Sequence, residues 1–159
     1  MAKYEFTGEL LESGGVTLRR IRRLSDGVVG GWLQSDSNLS QQSDDTAWVS
    51  GNAQVSGNAL ICENSQVSGN AQVYENAQVY GNAQVHGNAR VYGDAQVYGD
   101  AQVYGNVRVS GNVRVSGAAL VSGNAQVYGN AQVSGNAQVH GDVQVHENAR
   151  VSGDARVDH

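Results

Sequence analysis

Gly51-Asn52-Ala53-Gln54-Val55-Ser56 is followed at once by Gly57-Asn58-Ala59, and this six-residue pattern does not stop until Asp158. It begins at Asp45-Thr46-Ala47-Trp48-Val49-Ser50 and closes with Gly153-Asp154-Ala155-Arg156-Val157-Asp158. Residues 45–158, 114 in all, divide into nineteen units of six with no insertion or deletion. Position five is Val in every unit except for Ile61. Position three is Ala in fifteen units, with Ser65, Val107, Val113 and Val143 in the others. Position one is Gly in fifteen, replaced by Asp45, Glu63, Glu75 and Glu147.

Strand geometry explains the unit. Successive side chains on a strand point to opposite faces, so positions three and five share one face and positions four and six the other. The first face is small and apolar; the second is polar. Gly-Asn or Gly-Asp between strands is a turn signal with access to positive φ. A lone strand of this kind cannot bury its apolar face. Coiling the chain and stacking the coils buries it.

This pattern resembles the hexapeptide repeat of left-handed parallel β-helices, in which a small residue follows an aliphatic one four places on, as Ala59 follows Val55 and Ala77 follows Val73. The resemblance implies an all-β fold: a left-handed parallel β-helix of about six triangular coils, three units and eighteen residues to a coil. At a strand spacing of ~4.8 Å, six coils make a prism roughly 29 Å long. Residues eighteen apart then stack. Asn52, Asn70, Asn88, Asn106 and Asn124 form a corner column, and Gln54, Gln72, Arg90, Arg108, Gln126 and Gln144 form a face column. Stacked amides can hydrogen-bond along the axis.

Residues 1–44 stand outside the repeat and are expected to form a small β-rich cap, leaving 45–158 as the β-helix. Tyr4 and Phe6 alternate with polar neighbours, Gly14-Gly15 is a turn candidate, and Val16-Thr17-Leu18 reads as the returning strand. Arg19 to Leu24 fits strand or helix. Trp32 and Trp48 are the expected lids, since an open coil exposes apolar surface and unpaired backbone. Lys3-Tyr4-Glu5-Phe6, Gly15-Val16-Thr17-Leu18, Ile21-Arg22, Gly30-Gly31-Trp32, Asn38-Leu39-Ser40 and Trp48-Val49 resemble the leader of YdcK-like repeat proteins. That resemblance implies a bacterial or phage source. Such proteins are mostly labelled transferases without demonstrated activity. This chain is shorter than typical members between Leu24 and Gly30.

Composition excludes several classes. A net charge of −5 gives no field favouring nucleic acid or an anionic membrane. No apolar run reaches the about eighteen residues that a spanning helix needs. The first residues lack the apolar stretch of a secretory signal. The single Cys62 has no partner for an intrachain disulfide, which suits a reducing cytoplasm. Thr46 is the only threonine in the repeats, so the outward threonine columns of ice binding are absent.

Hexapeptide acyltransferases resemble this chain in the repeat, and they carry a catalytic histidine and a loop that breaks the coil. Only His86, His140, His146 and His159 could serve here, and no loop interrupts the units. His86 and His140 are the weak candidates for a base at a trimer seam. A general base also needs an orienting neighbour and a pocket. A β-helical carbonic anhydrase type of zinc site needs three histidines at one point. His140 and His146 instead fall on neighbouring faces, with His86 three coils away, so no metal or cofactor is expected.

Six tyrosines follow the position-five Val, and among them Tyr74, Tyr80, Tyr92, Tyr98 and Tyr104, with Arg90, Arg108 and Arg114, make the candidate binding surface. Tyr and Arg are enriched at binding hot spots, although stacked aromatics also stabilise a parallel sheet. Around the last unit, Arg150, Asp154, Arg156, Val157 and Asp158 are the candidate self-association residues, because an uncovered parallel edge is a template for pairing. The expectation is a non-enzymatic structural or binding solenoid that self-associates end to end or as a trimer, in a bacterial cytoplasm. The alternatives are an acyltransferase at a trimer seam, or a phage-encoded decoy that binds a host protein or a nucleotide.

Overall fold

The computed structural model describes residues 2–158, so His159 lies outside the described residues. The chain is all β apart from one turn of 3-10 helix at Asp36–Asn38. It opens with a hairpin, β1 (Tyr4–Ser13) and β2 (Val16–Arg23), paired antiparallel around Gly14-Gly15. The ambiguous arginine stretch is therefore strand, and it continues into β3 (Val29–Leu33), also antiparallel to β2. After β4 (Trp48–Val49) come eighteen two-residue strands, from β5 (Gln54–Val55) to β22 (Arg156–Val157).

Each of these strands pairs in parallel with the strand three further on, so three sheets run along the axis. Position-four residues register on position-four residues, as Arg90 does on Gln72 and Arg108. Six regular coils follow from Gly51. A further, irregular layer precedes them. β3 pairs in parallel with β5 (Trp32 on Gln54, Leu33 on Val55), Leu39 bridges to Ile61, and β4 pairs with β7 (Gln66–Val67). The stack is thus about seven turns, and two sides of its first turn, at Leu33 and Leu39, take residues that carry no hexad signature.

The interior is two columns deep on each face. The Val column and the Ala column are fully buried through the middle coils. Ala is needed where three faces converge, and the four larger or polar exceptions each fit locally. Ser65 is buried and its Oγ donates to the Cys62 and Val79 carbonyls at 2.7 and 3.0 Å. Backbone satisfaction is regular: N–H groups at positions two, four and six donate to carbonyls one coil further on, as in Gln72 to Ala89 and Tyr74 to Val91.

Corners require left-handed backbone. Position-one glycines sit at positive φ, and at Gly99 (φ +67°) an added Cβ would lie 2.9 Å from the Gly117 nitrogen. Three glutamates adopt the same conformation: Glu63, Glu75 and Glu147, at φ 61°, 60° and 58°. Such strain needs compensation. The Oε2 atoms of Glu63 and Glu75 accept the Gly81 and Gly93 N–H groups one coil on, each at 2.7 Å. Position-two amides form ladders in which each Nδ2 donates to the next Oδ1. One runs from Asn52 through Asn70, Asn88, Asn106 and Asn124 to Asp142. Aspartate has no N–H to pass on, so ladders stop at Asp94, Asp100, Asp142 and Asp154. The face glutamines do not follow suit: among the described residues no Gln–Gln hydrogen bond forms.

Of the two expected lids, Trp48 is buried in the core at the capped end and Trp32 is half-buried on a face. Trp32 and Trp48 occupy outward position-four places, in register with Gln54 and Gln66, because each is followed by the inward residue of its strand. The Arg20 and Arg23 guanidinium groups lie over them, at 5.1 and 4.9 Å from the ring centres. Tyr4 and Ile21 of the hairpin join Trp48 in the core at the coil end, Tyr4 edge-on to Trp48.

Candidate binding faces

Position six places one side chain per coil on each outer face, directly above its counterpart. Aromatic residues at successive layers therefore stack face to face. Tyr74 lies on Tyr92 with ring centres 4.8 Å apart and planes within 2°. Tyr80 lies on Tyr98 at 4.9 Å and 3°, and His86 on Tyr104 at 5.0 Å and 1°. A fourth pair, Tyr128 on His146 at 5.2 Å and 14°, escaped the sequence reading although the same eighteen-residue offset marks it. Burial raises the hydroxyl pKa of Tyr74 and of Tyr80, each helped by the tyrosine stacked on it.

The candidate surface is divided among the three faces. Tyr74 and Tyr92 share a sheet with Arg90 and Arg108. Tyr80 and Tyr98 share the next with Arg114, and Tyr104 stands on the third with His86. The first group is the one that brings two tyrosines and two arginines together. Arg90 and Arg108 are in register in adjacent coils, and neither belongs to an ion pair among the described residues. The alternation of Gln and Arg at position four was readable; that these cations stand without acidic partners was not.

The two histidine candidates differ. His86 is half-buried under Tyr104 and has no polar partner among the described residues. His140 Nε2 lies 3.2 Å from Asp158 Oδ2, which Arg156 Nε also approaches at 3.3 Å. Ser122 precedes His140 in the same column, but among the described residues no hydrogen bond joins them. Neither histidine lines the cavities around the hairpin and first layer or the two beside Arg108. Among the described residues, no group of three or more His, Cys, Asp or Glu side chains is placed to hold a metal ion.

Near the last coil, Arg156 and Asp158 thus join His140 on one face, whereas Arg150 is exposed on another. Asp154 Oδ1 accepts from Asn136 Nδ2 at a corner. Val157 packs on the core but is only partly covered, and Ala155 is exposed. No helix among the described residues is long and apolar enough to cross a membrane.

These features define a repeat β-solenoid with flat, laddered faces. Residues 73–159 match the bactofilin family, described as polymer-forming cytoskeletal, and residues 53–69 match the YdcK β-solenoid repeat. The first match spans more than half of the chain, which belongs to the bactofilin family. No curated protein matches it.

Proposed function

We propose that this chain is a structural solenoid that self-associates end to end through its last coil, with Arg150, Asp154, Arg156, Val157 and Asp158 at the contact. The observation that supports it most is the unbroken parallel ladder in a member of a polymer-forming family. The partly covered Val157 and the exposed Ala155 continue the two apolar columns, so a second copy stacked there extends an existing core. The last coil's N–H groups at positions two, four and six face that end, and backbone pairing across the junction supplies the directional part of the contact. The left-handed hexapeptide class, with a cytoplasmic site of action, is the setting in which we place it. Sedimentation velocity tests the proposal. A dimer whose share rises with concentration is expected, and R156E with V157D together should return the monomer. A monomer at tens of micromolar would contradict it.

A second reading concerns the face that carries Tyr74, Tyr92, Arg90 and Arg108. Two unpaired cations beside stacked rings favour a ligand or partner surface there over the other two faces.

A further inference from the structure

The aromatic column on this face has a missing step. In order along the axis it reads Tyr74, Tyr92, Ser110, Tyr128, His146. Rings stack in two pairs, and between the pairs one layer carries a serine. At twice the strand spacing, Tyr92 and Tyr128 stand about 9.6 Å apart. The pairs themselves are separated by 4.8 and 5.2 Å. A single planar ring in the Ser110 layer therefore meets both neighbours at the spacing the column already uses. The space is an open surface depression of about 230 Å³ lined by Tyr92, Arg108, Ser110, Gln126 and Tyr128.

A second cavity, of about 260 Å³, adjoins it and is lined by Asn88, Arg90, Asn106 and Arg108. Arg108 is the wall common to both. Two guanidinium groups in adjacent layers repel unless an anion lies between them, and among the described residues no carboxylate pairs with either. Asn88 and Asn106 spend one Nδ2 hydrogen each on the corner ladder, which leaves the other as a donor. The second cavity is thus an anion cradle beside a ring slot. Positions four and six are separated by roughly 6.6 Å along the strand, a distance that a ribose spans between base and phosphate.

We propose that this pair of cavities binds a nucleoside monophosphate, its base stacked between Tyr92 and Tyr128 over Ser110 and its phosphate held by Arg90 and Arg108. Base stacking on aromatic side chains tolerates any base, so the site selects the class and not the base. The neighbouring face carries an internal control. Tyr104, Ser122 and His140 repeat the ring–serine–ring order, but Leu120 replaces the arginine in that layer, and His140 is engaged by Asp158. That slot has the shape without the charge. The site does not depend on how copies assemble.

The test is NMR or calorimetric titration with adenosine monophosphate, with adenosine and inorganic phosphate as separate arms. The wild type should bind the monophosphate at sub-millimolar concentration and either fragment far more weakly. S110Y fills the slot with the residue the column uses elsewhere and should abolish binding. R108Q installs the commonest position-four residue and should weaken binding about tenfold. Both substitutions insert residues that the coil already accepts, and an unchanged thermal midpoint confirms the fold. Wild-type protein that does not respond at millimolar ligand, or S110Y binding as well as wild type, would overturn the proposal.

Discussion

In the coils after Gly51, each carbonyl at positions one, three and five receives an N–H from the coil before it, whereas the first layer has no earlier coil to fill its own carbonyls. Side chains and a hairpin do that work instead. Lys3 Nζ donates to the Ala47 and Asp45 carbonyls at 3.0 and 3.4 Å. The Tyr4 hydroxyl donates to the Asp36 and Leu39 carbonyls at 2.9 and 3.2 Å. Arg20 Nε donates to the Gly30 carbonyl at 3.1 Å, and β2 pairs with the edge of β3. The first layer's outer edge has no coil before it, and its free carbonyls are met by long cationic and hydroxylic side chains. The hairpin then protects its own edge with a bulge between Phe6 and Leu10 and with Glu5, Glu9 and Glu12 along β1.

The comparison predicts unequal responses to loss. Deleting residues 2–28 removes β1 and β2, uncovers Leu33, Leu39 and Val49, and strands the first layer's carbonyls. Expected is insoluble protein with no cooperative melt, read by pelleting and circular dichroism. Removing the last coil, residues 141–158, should leave a cooperative unfolding curve, because coils behave as near-independent repeats.

Within the coils, the corner is the most sensitive point. Gly99→Val puts a branched side chain at positive φ against the Gly117 backbone and should cost about 3 kcal/mol in urea unfolding. At the cap, Tyr4→Phe leaves two carbonyls short of a donor and should cost roughly 1–3 kcal/mol. Tyr98→Phe, in an outward column of the coils, should be silent. A smaller effect is expected from Asn88→Asp, which keeps the acceptor for Asn70 but ends the ladder early, at about 0.5–1 kcal/mol.

The smallest effect concerns Cys62. Burial, with Glu63 and Asp45 nearby, pushes its thiol above the ordinary range. The folded chain therefore keeps this proton where the unfolded chain has lost it, and stability declines slightly as pH rises through the thiol range. Alkylation by iodoacetamide near pH 8 should be slower than for an exposed thiol, and should speed up in urea.

The repeat was legible because a fixed period leaves little choice. Val at five, Ala at three and Gly at one determine which side chains are inside, which share a column and where the chain turns. The irregular first layer was not legible, because Leu33 and Leu39 reach the Val columns by way of Gly31 and the 3-10 turn at Asp36–Asn38, without a hexad. Gly31 itself signals the constraint: a Cβ there would sit 2.7 Å from the Ala53 carbonyl. The tryptophans both precede an inward residue and so face out of the coil; the hairpin buries Trp48 there and leaves Trp32 half-covered. The stacked tyrosines followed from the eighteen-residue offset. The unpaired state of Arg90 and Arg108 and the space at Ser110 depend on what surrounds each column, which periodicity does not report.

The central claim is that copies meet through the last coil and not through the hairpin-capped end. Pulsed electron spin resonance on assembled protein, in a Cys62→Ser background, tests it most directly. A label at Ser152→Cys should show a short distance between copies, and a label at Ser25→Cys should show none. A short distance at Ser25 with none at Ser152 would contradict the account.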